Sequence, residues 1–370
     1  MKRILAVLLA VTLVMSASVT AFGANIKDVE AVQKSAAEYI AKQYEESGFT
    51  VNGSRYFEHV INAGVDVSGY VDGYFENALS ALEGAQSSMD NAVQIISVCN
   101  ALGEYPEGFD KEDAVALLSE SNPVIYSPYN YVPAIRLCIS FGLTQKAADY
   151  AEALAATYVE DKGPNFWGSE DWISGDDVAT FILALAPVAD KYETLIDNAL
   201  EVLETYYSED GYINTYTGAN TDTTALALAA YCAVDNKDKA DEIYETLIKN
   251  FYDSEAGCFK ADYDEVYATA DALTGIEEYL SYADYYFGWQ YLDGSWYYFD
   301  DNGDAVKGWL YDGGKWYYLS NSNGAMQASS WIKTNGTWYY VSKTGAMQTS
   351  SWIKTNGTRY YVNASGAYVK

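Results

Sequence analysis

The chain has 370 residues, with 52 acidic and 22 basic side chains and a formal net charge of −30. Residues 1–24 and 288–370 each carry a net +2, so the whole surplus, −34, falls on residues 25–287. A body this acidic repels nucleic acid and anionic lipid and excludes both as partners.

Lys2 and Arg3 precede an apolar run from Ile4 to Val14, and small residues follow at Val19-Thr20-Ala21 and Ala24. This layout predicts a secretory signal peptide over 1–24, cleaved after Ala21 or Ala24. No later stretch reaches 18 uncharged apolar residues, so no transmembrane insertion is expected. The exported chain permits disulfides, yet Cys99, Cys138, Cys232 and Cys258 form no CxxC pair and mostly sit in apolar runs. They are expected to be buried free thiols. The single histidine, His59, is expected as a helix-surface or packing residue. With so few zinc ligands, neither a metal nor a cofactor is expected.

Residues 25–285 read as an all-α domain. Apolar residues recur at helical spacing over 28–46, 71–82, 92–102, 145–159, 177–189, 194–207, 223–234, 239–251 and 267–280. Three matched units begin at Thr180, Thr224 and Thr269, each after a loop carrying glycine and an aromatic residue. A period in the forties with two helices per unit implies an α-solenoid of helix pairs or a closed α/α toroid. The Thr-Ala-Leu-Ala-Leu runs and their loops resemble the squalene cyclase and protein prenyltransferase repeat superfamily, more closely over 157–280 than over 30–156. The resemblance implies a fold and no activity. Ser174-Gly175-Asp176-Asp177 lacks the first aspartate of the cyclase Asp-x-Asp-Asp motif, and neither a prenyltransferase zinc set nor a thioester motif is present.

One stretch of the body concentrates chemistry: Phe166 to Asp177 holds Trp167 and Trp172 with Glu170, Asp171, Asp176 and Asp177. These four carboxylates are candidate catalytic residues, because paired carboxylates act as acid and base when burial separates their pKa values. They can also bind calcium. The competing reading gives Ser174, Asp176 and Asp177 to the N-terminus of the next helix as cap and first-turn residues, with Asn220, Thr221 and Asp222 repeating that role. Tyr126, Tyr129, Tyr131, Tyr212 and Tyr216 are candidate lining for a cavity that takes a small molecule, a glycan or a protein ligand.

Residues 286–370 repeat one phrase four times, over 288–307, 308–329, 330–350 and 351–370. Lead residues Trp289, Trp309, Trp331 and Trp352 are followed by the turn pairs Asp293-Gly294, Gly313-Gly314, Asn335-Gly336 and Asn356-Gly357. Such pairs close two-residue hairpins with positive φ at both central positions. Counting outward places Trp289, Tyr291, Trp296 and Tyr298 on one face, then Trp309, Tyr311, Trp316 and Tyr318, then Trp331, Lys333, Trp338 and Tyr340. Lone hairpins are marginal in water, so the segment is expected to stack as a β-solenoid. Arg359 in place of tryptophan marks the fourth hairpin as a cap.

The pattern Gly308-Trp309, Gly314, Trp316-Tyr317-Tyr318 and Gly324-Ala325-Met326, repeated through Trp338-Tyr339-Tyr340 to Gly345-Ala346-Met347, resembles the choline-binding, or cell-wall-binding, repeats of Gram-positive surface proteins. That resemblance implies aromatic cages for a quaternary ammonium, walled by Met326 and Met347, on choline-bearing teichoic or lipoteichoic acid or a related wall glycan. Related repeats bind sugars. The alternative for the aromatics is to glue hairpins together. Two functions follow: a secreted, wall-attached binding protein, or a secreted polysaccharide-degrading enzyme that the repeats target to its substrate.

Overall fold

The computed structural model describes residues 26–83, 89–120, 127–208, 211, 213–215, 218–261, 264–284, 288–292, 294–300, 304–355 and 357–369. The expected signal peptide over 1–24, Tyr126, Tyr212, Tyr216 and the turn residues Asp293 and Asn356 lie outside the described residues. The chain divides into two compact units, one over Asp28–Tyr282 and one containing Ala283–Lys370.

Among the described residues the first unit is built from α1 (Ile26–Gln43), α2 (Ser54–Asn62), α3 (Val71–Glu83), α4 (Met89–Leu102), α5 (Lys111–Glu120), α6 (Tyr131–Ser140), α7 (Thr144–Ala155), α8 (Gly175–Leu185), α9 (Ala189–Glu204), α10 (Thr221–Ala233), α11 (Lys237–Phe251) and α12 (Glu265–Asp284). Burial separates them into two kinds. Every residue of α10 from Thr221 to Cys232 is buried, as is every residue of α8 except Asp176. A helix that is apolar all round must be surrounded by protein. By contrast, α11 buries only Ala240, Ile243, Tyr244 and Leu247, a single stripe.

The even-numbered helices are neighbours in sequence: α2 packs on α4, α4 on α6, α6 on α8 and α8 on α10. A Cβ added to Gly275 of α12 would stand 2.5 Å from the carbonyl oxygen of Ala225 in α10, so glycine is what permits that approach. Arg55, His59 and Asn62 of α2 in turn bond to Asp271 and Glu277 of α12.

Two-residue strands precede three of these helices. β1 (Tyr158–Val159) pairs with β2 (Gly163–Pro164), β3 (Asn214–Thr215) with β4 (Gly218–Ala219), and β5 (Tyr252–Asp253) with β6 (Cys258–Phe259). The repeated threonine explains their placement: Thr224 Oγ1 accepts from the Ile213 N–H at 3.3 Å, and Thr269 Oγ1 from the Phe259 N–H at 2.9 Å. All four cysteines are buried free thiols.

Three expectations are corrected. The helix expected over 145–159 stops at Ala155, because Tyr158–Val159 turns back to pair with Gly163–Pro164. The helix expected over 177–189 breaks at Ala186–Val188, where Pro187 has no N–H to continue it. Helices α2, α5 and α6 were not signalled; they are only nine or ten residues long, and Pro133 sits in the first turn of α6.

The second unit consists of hairpins: β7 (Gly288–Leu292) with β8 (Ser295–Phe299), β9 (Gly308–Asp312) with β10 (Lys315–Leu319), β11 (Ser330–Thr334) with β12 (Thr337–Val341), and β13 (Ser351–Thr355) with β14 (Thr358–Val362), to which β15 (Tyr368–Val369) adds. Trp289 pairs with Tyr298, Trp309 with Tyr318 and Trp331 with Tyr340, the register that turn counting requires. Phe299, Leu319, Val341 and Val362, at equivalent positions, form the buried column that one hairpin alone could not bury. Successive repeats are tied by backbone bonds, the Met326 N–H to the Trp296 carbonyl and the Met347 N–H to the Trp316 carbonyl, both at 2.7 Å.

Candidate functional site

The helical unit holds a partly open cavity of about 490 Å³. Its wall carries three ion pairs. Arg55 Nη1 lies 2.8 Å from Asp271 Oδ1, His59 Nδ1 lies 2.8 Å from Glu277 Oε1, and Arg136 pairs with Glu278. Each couples an earlier helix to α12. His59 is also within 3.2 Å of Thr274 Oγ1 through Nε2, and Asn62 donates to the other oxygen of Glu277 at 3.1 Å. Burial disfavours the imidazolium, but the charge and hydrogen bond of Glu277, with Glu58 adding, outweigh it and raise the His59 pKa.

Glu58 also lines this cavity, and among the described residues it makes no hydrogen bond or ion pair. Burial pushes its carboxyl up to about 7, with Glu277 adding to the shift and His59 opposing it. At the starts of α8 and α10, burial raises Asp176 to about 6 and Asp222 to about 8, and Asp271 adds to both.

The candidate carboxylates of the Phe166–Asp177 stretch do not converge. Glu170 is exposed and pairs with Lys162, and Asp171 is exposed. Asp177 is buried as the partner in a capping box: Ser174 N–H donates to it at 2.9 Å, and its own N–H donates to Ser174 Oγ. Trp167 Nε1 donates to its second oxygen at 3.0 Å. Asn220 likewise caps α10 through the N–H groups of Asp222 and Thr223. Of the candidate tyrosines, Tyr129 lines the cavity, whereas Tyr131 is buried at the start of α6 and is not on that wall. The charged wall residues Arg55, Glu58 and Arg136 escaped the sequence reading because they lie on α2 and α6, helices it did not signal, and His59, read as a helix-surface or packing residue, is buried and bonded to Glu277.

The hairpin unit holds a second concavity, of about 550 Å³, lined by Trp289, Trp296, Tyr317, Met326, Lys343 and Thr344. Trp289 stands edge-on to Trp296, Tyr298 and Tyr317, with centroids 6.4, 5.3 and 4.8 Å away, and its Nε1 donates to Asp312 at 2.9 Å. The next repeat reproduces the set: Trp309 meets Trp316, Tyr318 and Tyr339 at 6.5, 5.1 and 5.2 Å, and its Nε1 donates to Thr334. In the third, Trp331 meets Tyr340, Tyr360 and Tyr368 at 5.2, 5.5 and 5.9 Å, with Trp338 on the neighbouring strand.

The rings are therefore shared between repeats. Tyr298, Tyr318 and Tyr340 back the lead tryptophan from its own hairpin, while Tyr317, Tyr339 and Tyr360 reach it from the following one. Those three were not among the sequence candidates, since alternation puts them on the opposite face of their own strand. Met326 and Met347 are placed by glycines: a Cβ on Gly345 would fall 2.3 Å from Met326 Sδ, and one on Gly366 2.7 Å from Met347 Cε. Tyr360 thus joins a ring cluster although its hairpin carries Arg359. Trp352 packs on Tyr361 and is 67% exposed.

Choline-binding repeat models match residues 286–331 and 325–368. Among solved structures, a choline-binding domain from Streptococcus pneumoniae is 37% identical over 23% of this chain and 95% of its own, with a TM-score of 0.20. Choline binding protein F of Streptococcus pneumoniae is 47% identical over 22% of this chain and 28% of its own, with a TM-score of 0.21. The pneumococcal cell wall endolysin from phage Cp-1, complexed with choline, is 36% identical over 22% of this chain and 24% of its own, also with a TM-score of 0.21. The chain spans about a quarter of the length of these last two proteins. No curated protein matches it. Through the matched segments, the C-terminal part of this chain, residues 286–368, belongs to the choline-binding repeat family.

Proposed function

We propose that this chain is a secreted surface protein of a Gram-positive bacterium, held non-covalently on the cell wall by its repeats while the acidic helical unit presents a ligand-binding cavity. The repeats take choline on teichoic or lipoteichoic acid. The observation that carries this reading is the concavity of Trp289, Trp296, Tyr317 and Met326, drawn from two successive hairpins. A quaternary ammonium has no hydrogen-bond donors, so aromatic faces and an apolar thioether are the partners it needs, each ring contributing about 0.5–2 kcal/mol. The equivalent set at the next interface is Trp309, Trp316, Tyr339 and Met347.

The helical unit is, in this reading, an α/α toroid. The run of neighbours from α2 through α4, α6, α8 and α10 to α12, and the bonds from α12 back to α2, support closure of the even-numbered helices around the cavity.

Calorimetric titration of the full chain with choline tests the first half of the proposal. Saturable binding that Trp309→Ala weakens about tenfold is expected from the loss of one ring-lined site. No binding of choline, and no retention on immobilised choline, would overturn it; a response to a glucan oligosaccharide in its place would make the repeats a carbohydrate module.

A further inference from the structure

The cavity of the helical unit is built mainly of hydrogen-bonding side chains. Asn52, Ser97, Asn100, Ser127, Asn130 and Ser140 share its wall with Tyr56, Tyr129 and Tyr267. A volume of about 490 Å³ lies within the roughly 300–1,000 Å³ range of small-molecule sites.

Its polar groups are incompletely satisfied. Among the described residues, Gln94 Oε1 and Thr180 Oγ1 are buried on the wall with no partner, and Thr180 is only 2% exposed. The cations are already committed: Arg55 to Asp271, His59 to Glu277 and Arg136 to Glu278. Glu58 is left over. The Gln94 carbonyl oxygen can only accept, whereas the Thr180 hydroxyl can accept or donate; with Glu58 unpaired among the described residues, a positively charged N–H donor is what completes this wall. A quaternary ammonium has no N–H to give. The remaining hydroxyl and amide groups of the wall call for hydroxyls on the same ligand.

We propose that this cavity binds a small polyhydroxylated primary ammonium, of which an amino sugar is the simplest form, with the ammonium directed to Glu58 and Gln94. The proposal rests on the reading of the helical unit as a binding module and is independent of how the repeats attach to the wall.

The test is calorimetric titration of the full chain with glucosamine, with glucose, which carries a hydroxyl in place of the ammonium, and choline run alongside. Expected are saturable binding of glucosamine at one site, at least tenfold weaker binding of glucose, and at least a tenfold loss in Glu58→Gln with choline binding retained. Gln94→Glu, which adds a carboxylate to the same wall, tightens glucosamine and covers the case in which Glu58→Gln does not fold. Trp309→Ala weakens choline and leaves glucosamine unchanged. Absence of glucosamine binding, equal binding of glucose, or loss of glucosamine in Trp309→Ala overturns the proposal. Failure of choline alone overturns wall attachment and leaves this inference standing.

Discussion

Glu277, in the last helix of the body, grips His59, in the second, through an Oε1–Nδ1 contact of 2.8 Å. Their sequence separation of 218 residues makes this one of the bonds that join the two ends of the helical unit. Because His59 is the only histidine of the chain, its titration can be followed by NMR without ambiguity. Burial depresses the imidazolium while Glu277 and, after it, Glu58 support it, so removing the charge in Glu277→Gln should lower the His59 pKa. An unchanged titration would mean that Glu277 does not hold the ring in solution.

Arg55 and Asp271 form the second of these joins, at 2.8 Å. Asp271 is buried, whereas about a third of the Arg55 side chain is exposed. Asp271→Asn should therefore destabilise the unit by about 2–3 kcal/mol, below the 3–5 typical of fully buried pairs. Denaturant unfolding measures this. The double variant Arg55→Met, Asp271→Leu should lose less than Asp271→Asn alone, since no buried charge is left uncompensated.

Asp222 supplies a pH dependence. Burial, then Asp271 and Asp176, lift its carboxyl from 3.8 to about 8 in the folded chain. The native state therefore holds a proton that the unfolded state has released, and the stability linked to this group falls as pH rises from 3.8 to about 8. Asp222→Asn should flatten the decline of Tm across that window and raise Tm at its upper end. A steeper decline in the variant would contradict the assignment.

Lys343 lines the first repeat site beside Trp289 and Trp296, while Ala364 occupies the corresponding position of the following repeat. An ammonium at the rim opposes a cationic ligand. Lys343→Ala should tighten choline about two- to fivefold at low salt, a Coulomb effect of about 0.5–1 kcal/mol that shrinks as salt screens it. Calorimetry at two ionic strengths separates this from a packing change, which salt would not erase.

The sequence by itself determined the hairpins, because a two-residue turn fixes register and strand alternation fixes faces; Trp289 opposite Tyr298 needs no tertiary information. It also placed helices over 223–234 and 239–251 from apolar spacing, but that the first is buried on every face from Thr221 to Cys232 and the second along one stripe is seen only in the folded unit. What only the tertiary structure decided is which side chains meet across repeats and between helices distant in sequence. Tyr317 reaches Trp289 by stacking of separate hairpins, a relation that in-strand counting cannot express. Arg55 and His59 reach α12 from a nine-residue helix with too few turns to show a period, and their partners lie more than 200 residues away. Local pattern specifies elements, whereas a cavity exists only where distant elements enclose it.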